Sequence, residues 1–134
     1  MTNTELGRRF FEAQDRLRGG PAEALCAPGY TAQIGGNPAM DRGGHEQFAR
    51  AFYAAFPDAR HAIEEVFGTD DRVAVRFVIR GTNTGSFFGL PPTGRSIAVP
   101  GHVLMQVSGG KVTRLWGIFD EAGLLRTLGA LPGN

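Results

Sequence analysis

The sequence contains little cysteine and almost no excess of charge. Cys26 is the single cysteine among 134 residues, which excludes an intramolecular disulfide and a zinc site built from cysteines. The 14 basic and 13 acidic side chains leave a net charge of +1, without the basic excess typical of nucleic-acid-binding domains. No apolar run approaches the roughly 20 residues of a membrane span, and no secretory segment follows the polar residues 1–5. We therefore expect a cytoplasmic protein without nucleic-acid or membrane partners.

Lysine, serine and histidine are scarce as well. Lys111 is the only lysine, and this usage, with abundant alanine and glycine, indicates a GC-rich bacterial genome. No serine stands in a Gly-x-Ser-x-Gly elbow, and the chain has no Walker loop or dinucleotide-binding glycine fingerprint. The three histidines, His45, His61 and His102, lack the spacing of helical or finger zinc sites. We expect no metal.

The length predicts one domain over residues 1–134, which can bury a core without a metal or a disulfide. The 20 glycines and 8 prolines stand between apolar runs and indicate turns in a strand-rich protein. Cys26, between two apolar residues, is interpreted as an inert core residue.

Helices are predicted in the first 56 residues. Thr2 and Glu5 fit a capping box, and apolar residues follow at helical spacing until Gly19. Residues 21–26 are predicted to form a second, short helix. A third helix begins near Gly44 and ends at Phe56, because the following proline disfavours a helical conformation in the residue before it.

The pattern then changes to alternation with period two. It predicts strands over residues 73–79, 97–107 and 112–119, with a glycine hairpin turn between the last two, and a closing helix over residues 121–128. Helices segregated from antiparallel strands indicate an α+β fold. We expect the sheet to curl around the N-terminal helices, because one of its faces needs an apolar cover.

Several motifs carry a resemblance to a known family. They are Ala-Phe-Pro-Asp at 55–58, Asp-Arg-Val-Ala-Val-Arg at 71–76, Gly-Thr-Asn-Thr-Gly at 81–85, Gly-Leu-Pro-Pro-Thr-Gly at 89–94, and Trp-x-x-x-Asp at 116–120 followed by Leu-Leu and Leu-Gly. Over residues 29–129 the chain resembles the SnoaL-like polyketide cyclases of the NTF2-like superfamily. The resemblance implies an NTF2-like cone with an apolar pocket, a homodimer, a small hydrophobic substrate, and catalysis without a metal or organic cofactor.

Asp120 is the first candidate catalytic residue. The resemblance places it at the position of the family's general acid/base in intramolecular aldol ring closure. Period two would put Trp116, Ile118 and Asp120 on one buried face, where desolvation favours a protonated carboxyl. The alternative is helix capping, because Asp120 directly precedes the predicted closing helix.

Two polar strand residues are candidate assistants to Asp120. His102 could hydrogen-bond a substrate carbonyl or pair with Asp120, or it could be a structural histidine at the sheet rim. Gln33 could orient a carbonyl or enolate through its amide, or it could be an exposed strand residue.

Aromatic residues are predicted to bind the substrate. Phe48 and Phe52 belong to an apolar stripe at helical spacing, and core packing accounts for most of this stripe. The same helix would also cover the pocket, so these rings could contact the substrate. Trp116 could stack on a flat ring, and Phe11 in the first helix is a weaker candidate.

The leading hypothesis is a polyketide cyclase-like enzyme in which Asp120 catalyses aldol-type ring closure. The alternatives are an isomerase, a dehydratase or an epoxide hydrolase of the same fold, and a non-catalytic dimer that binds a small molecule.

Overall fold

The computed structural model describes residues 1–131, which form three α-helices and six β-strands. The helices are α1 (Asn3–Leu17), α2 (Arg42–Ala55) and α3 (Glu121–Thr127). The strands are β1 (Cys26–Ile34), β2 (Met40–Asp41), β3 (Arg60–Gly68), β4 (Arg72–Thr82), β5 (Ser96–Ser108) and β6 (Lys111–Phe119). The last three residues of the domain predicted over 1–134 lie outside the described residues.

The six strands form one sheet in the order β2-β1-β6-β5-β4-β3. Strands β3 to β6 are an antiparallel meander, and β1 joins the open edge of β6 in a parallel pairing. The curved, unclosed sheet and its helices confirm the predicted α+β fold.

Helix α1 begins with the predicted capping box. The Thr2 hydroxyl accepts a hydrogen bond from the Glu5 backbone N–H at 3.1 Å, and the Glu5 carboxylate accepts from the Thr2 N–H at 3.0 Å. Arg18 then adopts a left-handed conformation with φ of 54° and ends the helix. The buried face of α1 packs on β3 and β4, and it includes Phe10, Phe11 and Gln14.

The segment between α1 and α2 differs from its prediction. Residues 21–26 were expected to form a short helix, but only a single 3₁₀ turn, Glu23–Leu25, is present, and Cys26 already opens β1. The cysteine is buried, as predicted, and burial raises the pKa of its thiol to about 12. This group is therefore an unreactive part of the core.

Helix α2 covers the inner face of the sheet. The Asp41 carboxylate caps it by accepting from the Gly44 N–H at 2.8 Å. Its apolar stripe continues into an aromatic cluster, in which the Phe56 ring lies 4.8 Å from that of Phe52 and 5.5 Å from that of Phe87. Core packing therefore accounts for much of the stripe.

The two faces of β5 and β6 have opposite characters. Val103, Met105 and Leu115 are buried on the inner face, whereas Leu104 is 41% exposed and Ile118 is 70% exposed on the outer face. The prediction that Ile118 shares a buried face with its alternate neighbours is wrong. Period two fixes which residues share a face, but it does not determine which of the two faces meets the helices.

Gly101 determines how one aromatic side chain of the inner face lies. A Cβ atom on Gly101 would be 2.7 Å from the ring of Phe77, its partner across β4 and β5. The Phe77 ring thus lies over the glycine and contacts the ring of His61, with 4.9 Å between the centroids. Phe77 and His61 both line the interior cavity.

Candidate active site

A cavity lies between α1, α2 and the inner face of the sheet. Its wall is mainly apolar and aromatic, and the polar side chains in it are Gln14, His45, Tyr53 and His61. The centre of a water-sized sphere can move through a volume of about 70 Å³ inside this cavity. This volume is enough for several water molecules. An apolar enclosure with a few convergent polar groups is typical of small-molecule sites.

Asp15 and His61 form the first polar pair of the cavity. Asp15 lies near the end of α1 and His61 near the start of β3. One carboxylate oxygen of Asp15 lies 2.7 Å from Nδ1 of His61, and the other accepts the His61 backbone N–H at 2.8 Å. The Tyr53 hydroxyl donates to the same oxygen that contacts Nδ1.

These hydrogen bonds determine the charge of Asp15. Burial raises the pKa of Asp15, but the hydrogen bonds from His61 and Tyr53, with the charge of His61, outweigh burial and hold it below its usual value. An ionised carboxylate only accepts hydrogen bonds, so Nδ1 of His61 carries a proton. In the neutral imidazole the lone pair is therefore on Nε2.

The His61 ring is held in place by its neighbours. It packs against Phe11 and Phe77, with centroids 4.7 Å and 4.9 Å away, and its side chain is 8% exposed. Among residues 1–131, no hydrogen bond is made by Nε2 of His61. The Asp15 carboxylate thus fixes the His61 ring at Nδ1, and Nε2 lies on the opposite side of the ring.

Tyr30 and His45 form the second polar pair. The Tyr30 hydroxyl lies 2.8 Å from Nδ1 of His45, and the two rings are nearly parallel. Burial, assisted by the charge of His61, lowers the pKa of His45 to about 4, and burial raises the pKa of Tyr30. At neutral pH the tyrosine therefore donates to Nδ1, and the His45 proton is on Nε2. In their neutral forms the two histidines hold opposite tautomers, so one can accept a proton where the other donates a hydrogen bond.

The structure places three of the predicted substrate-binding residues in the cavity wall. Phe11, Phe48 and Phe52 all line it. Their contact with a substrate stays a prediction.

The other polar and aromatic strand candidates lie on the outer face of the sheet. Gln33 pairs with Trp116 across β1 and β6, and His102 pairs with Ile118 across β5 and β6. Gln33 and His102 are exposed, and the guanidinium of Arg114 covers the Trp116 ring at 4.8 Å. Gln33, His102 and Trp116 are absent from the lining of the cavity.

Asp120 occupies the helix-capping position. Its carboxylate accepts from the Gly123 N–H at 2.9 Å at the start of α3. Its side chain is exposed and lies with His102 in an open groove outside the cavity. The capping interpretation is therefore confirmed, the buried position expected for this carboxylate is wrong, and its catalytic role stays a prediction.

Sequence reasoning missed the polar residues that line the cavity, namely Gln14, His45, Tyr53 and His61, and the two that hydrogen-bond to them from behind its wall, Asp15 and Tyr30. One signal was present, because Asp15 follows Phe11 by four residues and so lies on the same side of α1. Nothing in the sequence indicated its partner, since His61 is 46 residues away along the chain.

Two further results concern metals and membranes. Within the part of the chain that the structure describes, no group of three or more His, Cys, Asp or Glu side chains could hold a metal ion. None of the helices among residues 1–131 combines the length and the apolar character needed to cross a membrane.

Known proteins resemble this chain over almost its whole length. The model of the SnoaL-like polyketide cyclase family matches residues 7–128. IdmH from Streptomyces antibioticus, a candidate polyketide cyclase, has 27% identity and a TM-score of 0.86, with 96% of this chain and 99% of that chain covered. A candidate SnoaL-like polyketide cyclase from Jannaschia sp. CCS1 has 26% identity and a TM-score of 0.85, with coverage of 97% and 93%.

A more distant neighbour shows the fold alone. AclR from Streptomyces galilaeus, a candidate hydroxylase, has 23% identity and a TM-score of 0.86, with 96% of this chain and 85% of that chain covered. None of the curated proteins matches the chain significantly.

Proposed function

Because the chain belongs to the SnoaL-like polyketide cyclase family, we propose that it closes a ring in a small hydrophobic polycarbonyl compound by intramolecular aldol addition, with its own side chains as acid and base. The observation that carries this proposal is the pair of histidines with opposite tautomers in one apolar cavity.

His61 is the general base of the proposed reaction. Its Nε2 removes a proton from a carbon next to a carbonyl, and the electron pair of the broken C–H bond forms an enolate. Asp15 remains ionised and stabilises the imidazolium through Nδ1. The surrounding aromatic rings exclude water, which strengthens this charge interaction.

His45 stabilises the oxygen that gains charge. The enolate carbon attacks a second carbonyl of the same molecule, the new carbon–carbon bond forms, and the carbonyl oxygen becomes an alkoxide. The Nε2–H of the neutral His45 donates a hydrogen bond to this oxygen. The proton held by His61 then moves to the alkoxide, so the base is regenerated and the product is a cyclic hydroxyketone.

The location of Asp120 favours His61 over Asp120 as the base. The Asp120 carboxylate already accepts the capping hydrogen bond and faces an open groove, whereas His61 lines the apolar cavity. Transfer of a proton from carbon needs a base within hydrogen-bond reach of an enclosed substrate.

Proton exchange tests the proposal without the natural substrate. The probe is 2-tetralone, an aromatic ketone with exchangeable α-protons, followed by proton NMR in D₂O. We expect the wild type to accelerate exchange, and His61→Gln and Asp15→Asn to lower the rate at least about 100-fold. Asp70→Asn, in an exposed turn, is the matched control.

Asp120→Asn separates the two candidate bases. Exchange that survives in His61→Gln and disappears in Asp120→Asn would overturn the proposal and restore Asp120 as the base. Absence of any enzymatic exchange in the wild type would also count against it.

The outer face of the sheet supports the homodimer that the family resemblance implies. Leu104 and Ile118 are exposed there, beside the half-buried Trp116. Exposed apolar side chains on neighbouring strands are characteristic of protein interfaces. We propose that two copies of the chain pair through this face, which leaves each cavity complete within one subunit.

A further inference from the structure

Gln14 is a buried polar residue whose side-chain amide oxygen has no hydrogen-bond partner among residues 1–131. It lies on α1, directly before Asp15, and is 7% exposed. This oxygen, Oε1, is itself buried. The same side chain lines the interior cavity.

Among residues 1–131, no hydrogen bond to the Oε1 atom of Gln14 contributes to the fold. Helix α1 is held by its capping box and by the apolar side chains on its buried face, and only the backbone carbonyl of Gln14 accepts hydrogen bonds, from the N–H groups of Arg18 and Gly19. A buried acceptor without a donor costs free energy of folding. An apolar side chain of similar shape would avoid this cost, so stability alone does not explain an amide at this position.

We propose that Gln14 binds a hydrogen-bond donor of the ligand, a phenolic or enolic hydroxyl group. This inference rests on the proposed function, because it names the substrate class of the same cavity. A polycarbonyl compound presents such hydroxyls in its enol form and on any aromatic ring that it already carries. The ligand that fits this position is therefore a polycarbonyl compound that carries such a hydroxyl group.

The position of Gln14 gives this hydrogen bond an orienting role. Gln14 and Asp15 are consecutive on α1, and Asp15 holds His61. Gln14 and His61 both line the cavity, so a ligand hydroxyl bound to Oε1 is anchored in the same enclosure as the base. A ligand without that hydroxyl leaves the acceptor unpaired in the complex, and a site of this kind discriminates strongly against it.

Phenol and toluene test the proposal. They are close in shape and differ in one hydroxyl group, and their affinities are measured by NMR titration of the wild type and of Gln14→Met, an apolar variant of similar length. We expect the ratio of phenol affinity to toluene affinity to fall roughly tenfold in Gln14→Met. Gln47→Met, at an exposed position of α2, keeps the wild-type ratio.

A second measurement needs only the wild type. The side-chain amide resonance of ¹⁵N-labelled Gln14, assigned through its contacts on α1, should shift more on addition of phenol than of toluene, because only phenol donates a hydrogen bond to Oε1. An unchanged affinity ratio in Gln14→Met, an amide shift no larger with phenol than with toluene, or failure of both rings to bind the wild type would each overturn the proposal.

These results are independent of the proton-exchange experiment, because neither ring is turned over. Lost hydroxyl selectivity with exchange still dependent on His61 removes only the role of Gln14. Intact hydroxyl selectivity with exchange independent of His61 removes only the proposed base.

Discussion

The Asp15 carboxylate accepts two hydrogen bonds from His61, one from the ring nitrogen Nδ1 at 2.7 Å and one from the backbone N–H at 2.8 Å. Because the two donors belong to one residue, the carboxylate fixes the ring and the strand that carries it together. The charge of Asp15, its effect on the His61 tautomer and its contribution to stability therefore depend on the same few contacts.

Tyr53→Phe should weaken this arrangement without changing the shape of the cavity. The variant loses the hydroxyl that donates to Asp15, and a hydrogen bond to a charged group contributes about 1.5–3 kcal/mol to stability. Urea unfolding at pH 7 should show a loss of this size. In an Asp15→Asn background the same substitution should cost much less, and an equal cost in both backgrounds would contradict the contact.

Acid should remove the contribution of Asp15 in a defined direction. The pKa of Asp15 is lowered in the folded protein, so its stabilisation is complete above the ordinary value of 3.8 and is lost as the pH falls through the lowered value. Loss of the Tyr53 hydroxyl reduces the lowering of this pKa. Acid unfolding of Tyr53→Phe should therefore begin at a higher pH than that of the wild type.

His45 should make stability depend on pH in a higher range. Its pKa falls from the ordinary 6.5 to about 4 in the folded protein, so the unfolded chain takes up a proton between these values and the folded protein does not. Stability should therefore fall by about 2 kcal/mol between pH 7 and pH 5 through this group. Urea unfolding at both pH values measures it, and His45→Gln should remove that part of the slope.

Phe119 separates the cavity from the outside. It lines the interior cavity, the groove beside Asp120, and a second groove that Phe87 and Phe88 also line. Phe119→Ala should join these spaces and tighten the binding of a two-ring ligand such as 2-naphthol, measured by fluorescence titration. Phe67→Ala, which truncates an exposed ring on β3, is the matched control. Unchanged affinity in Phe119→Ala would show that this ring does not limit access.

A charge on the outer face should separate the proposed dimer. Ile118→Lys places an ammonium group at the centre of the apolar surface, and sedimentation equilibrium should report a shift from dimer to monomer with unchanged helical content. Phe67→Lys introduces the same charge at another exposed apolar position and should remain dimeric. A wild type that sediments as a monomer would refute the interface.

The sequence predicted those features that local interactions determine. The capping box of α1, the glycine hairpin between β5 and β6, and the capping of α3 by Asp120 depend on residues within a few positions of one another. The alternation in β6 was also correct, but the choice of its inward face depends on the helices that pack against it.

The candidate site depends on contacts that are distant along the chain, which is why it was missed. His61 and Asp15 are 46 residues apart, and Tyr53 and Asp15 are 38 apart. Each residue by itself is ordinary in its local sequence. The family resemblance indicated Asp120 and the strand pattern indicated His102, and the fold leaves both side chains outside the cavity.

The parallel pairing of β1 with β6 has a consequence for how the chain folds. Residues 26–34 find their sheet partner only at residues 112–117, so this part of the sheet cannot form until nearly all of the chain has been synthesised. Without β6, β1 has only the two-residue β2 beside it, and β1 carries Tyr30 of the second polar pair. Contacts this remote in sequence slow folding, and we therefore expect the cavity to be completed late in folding.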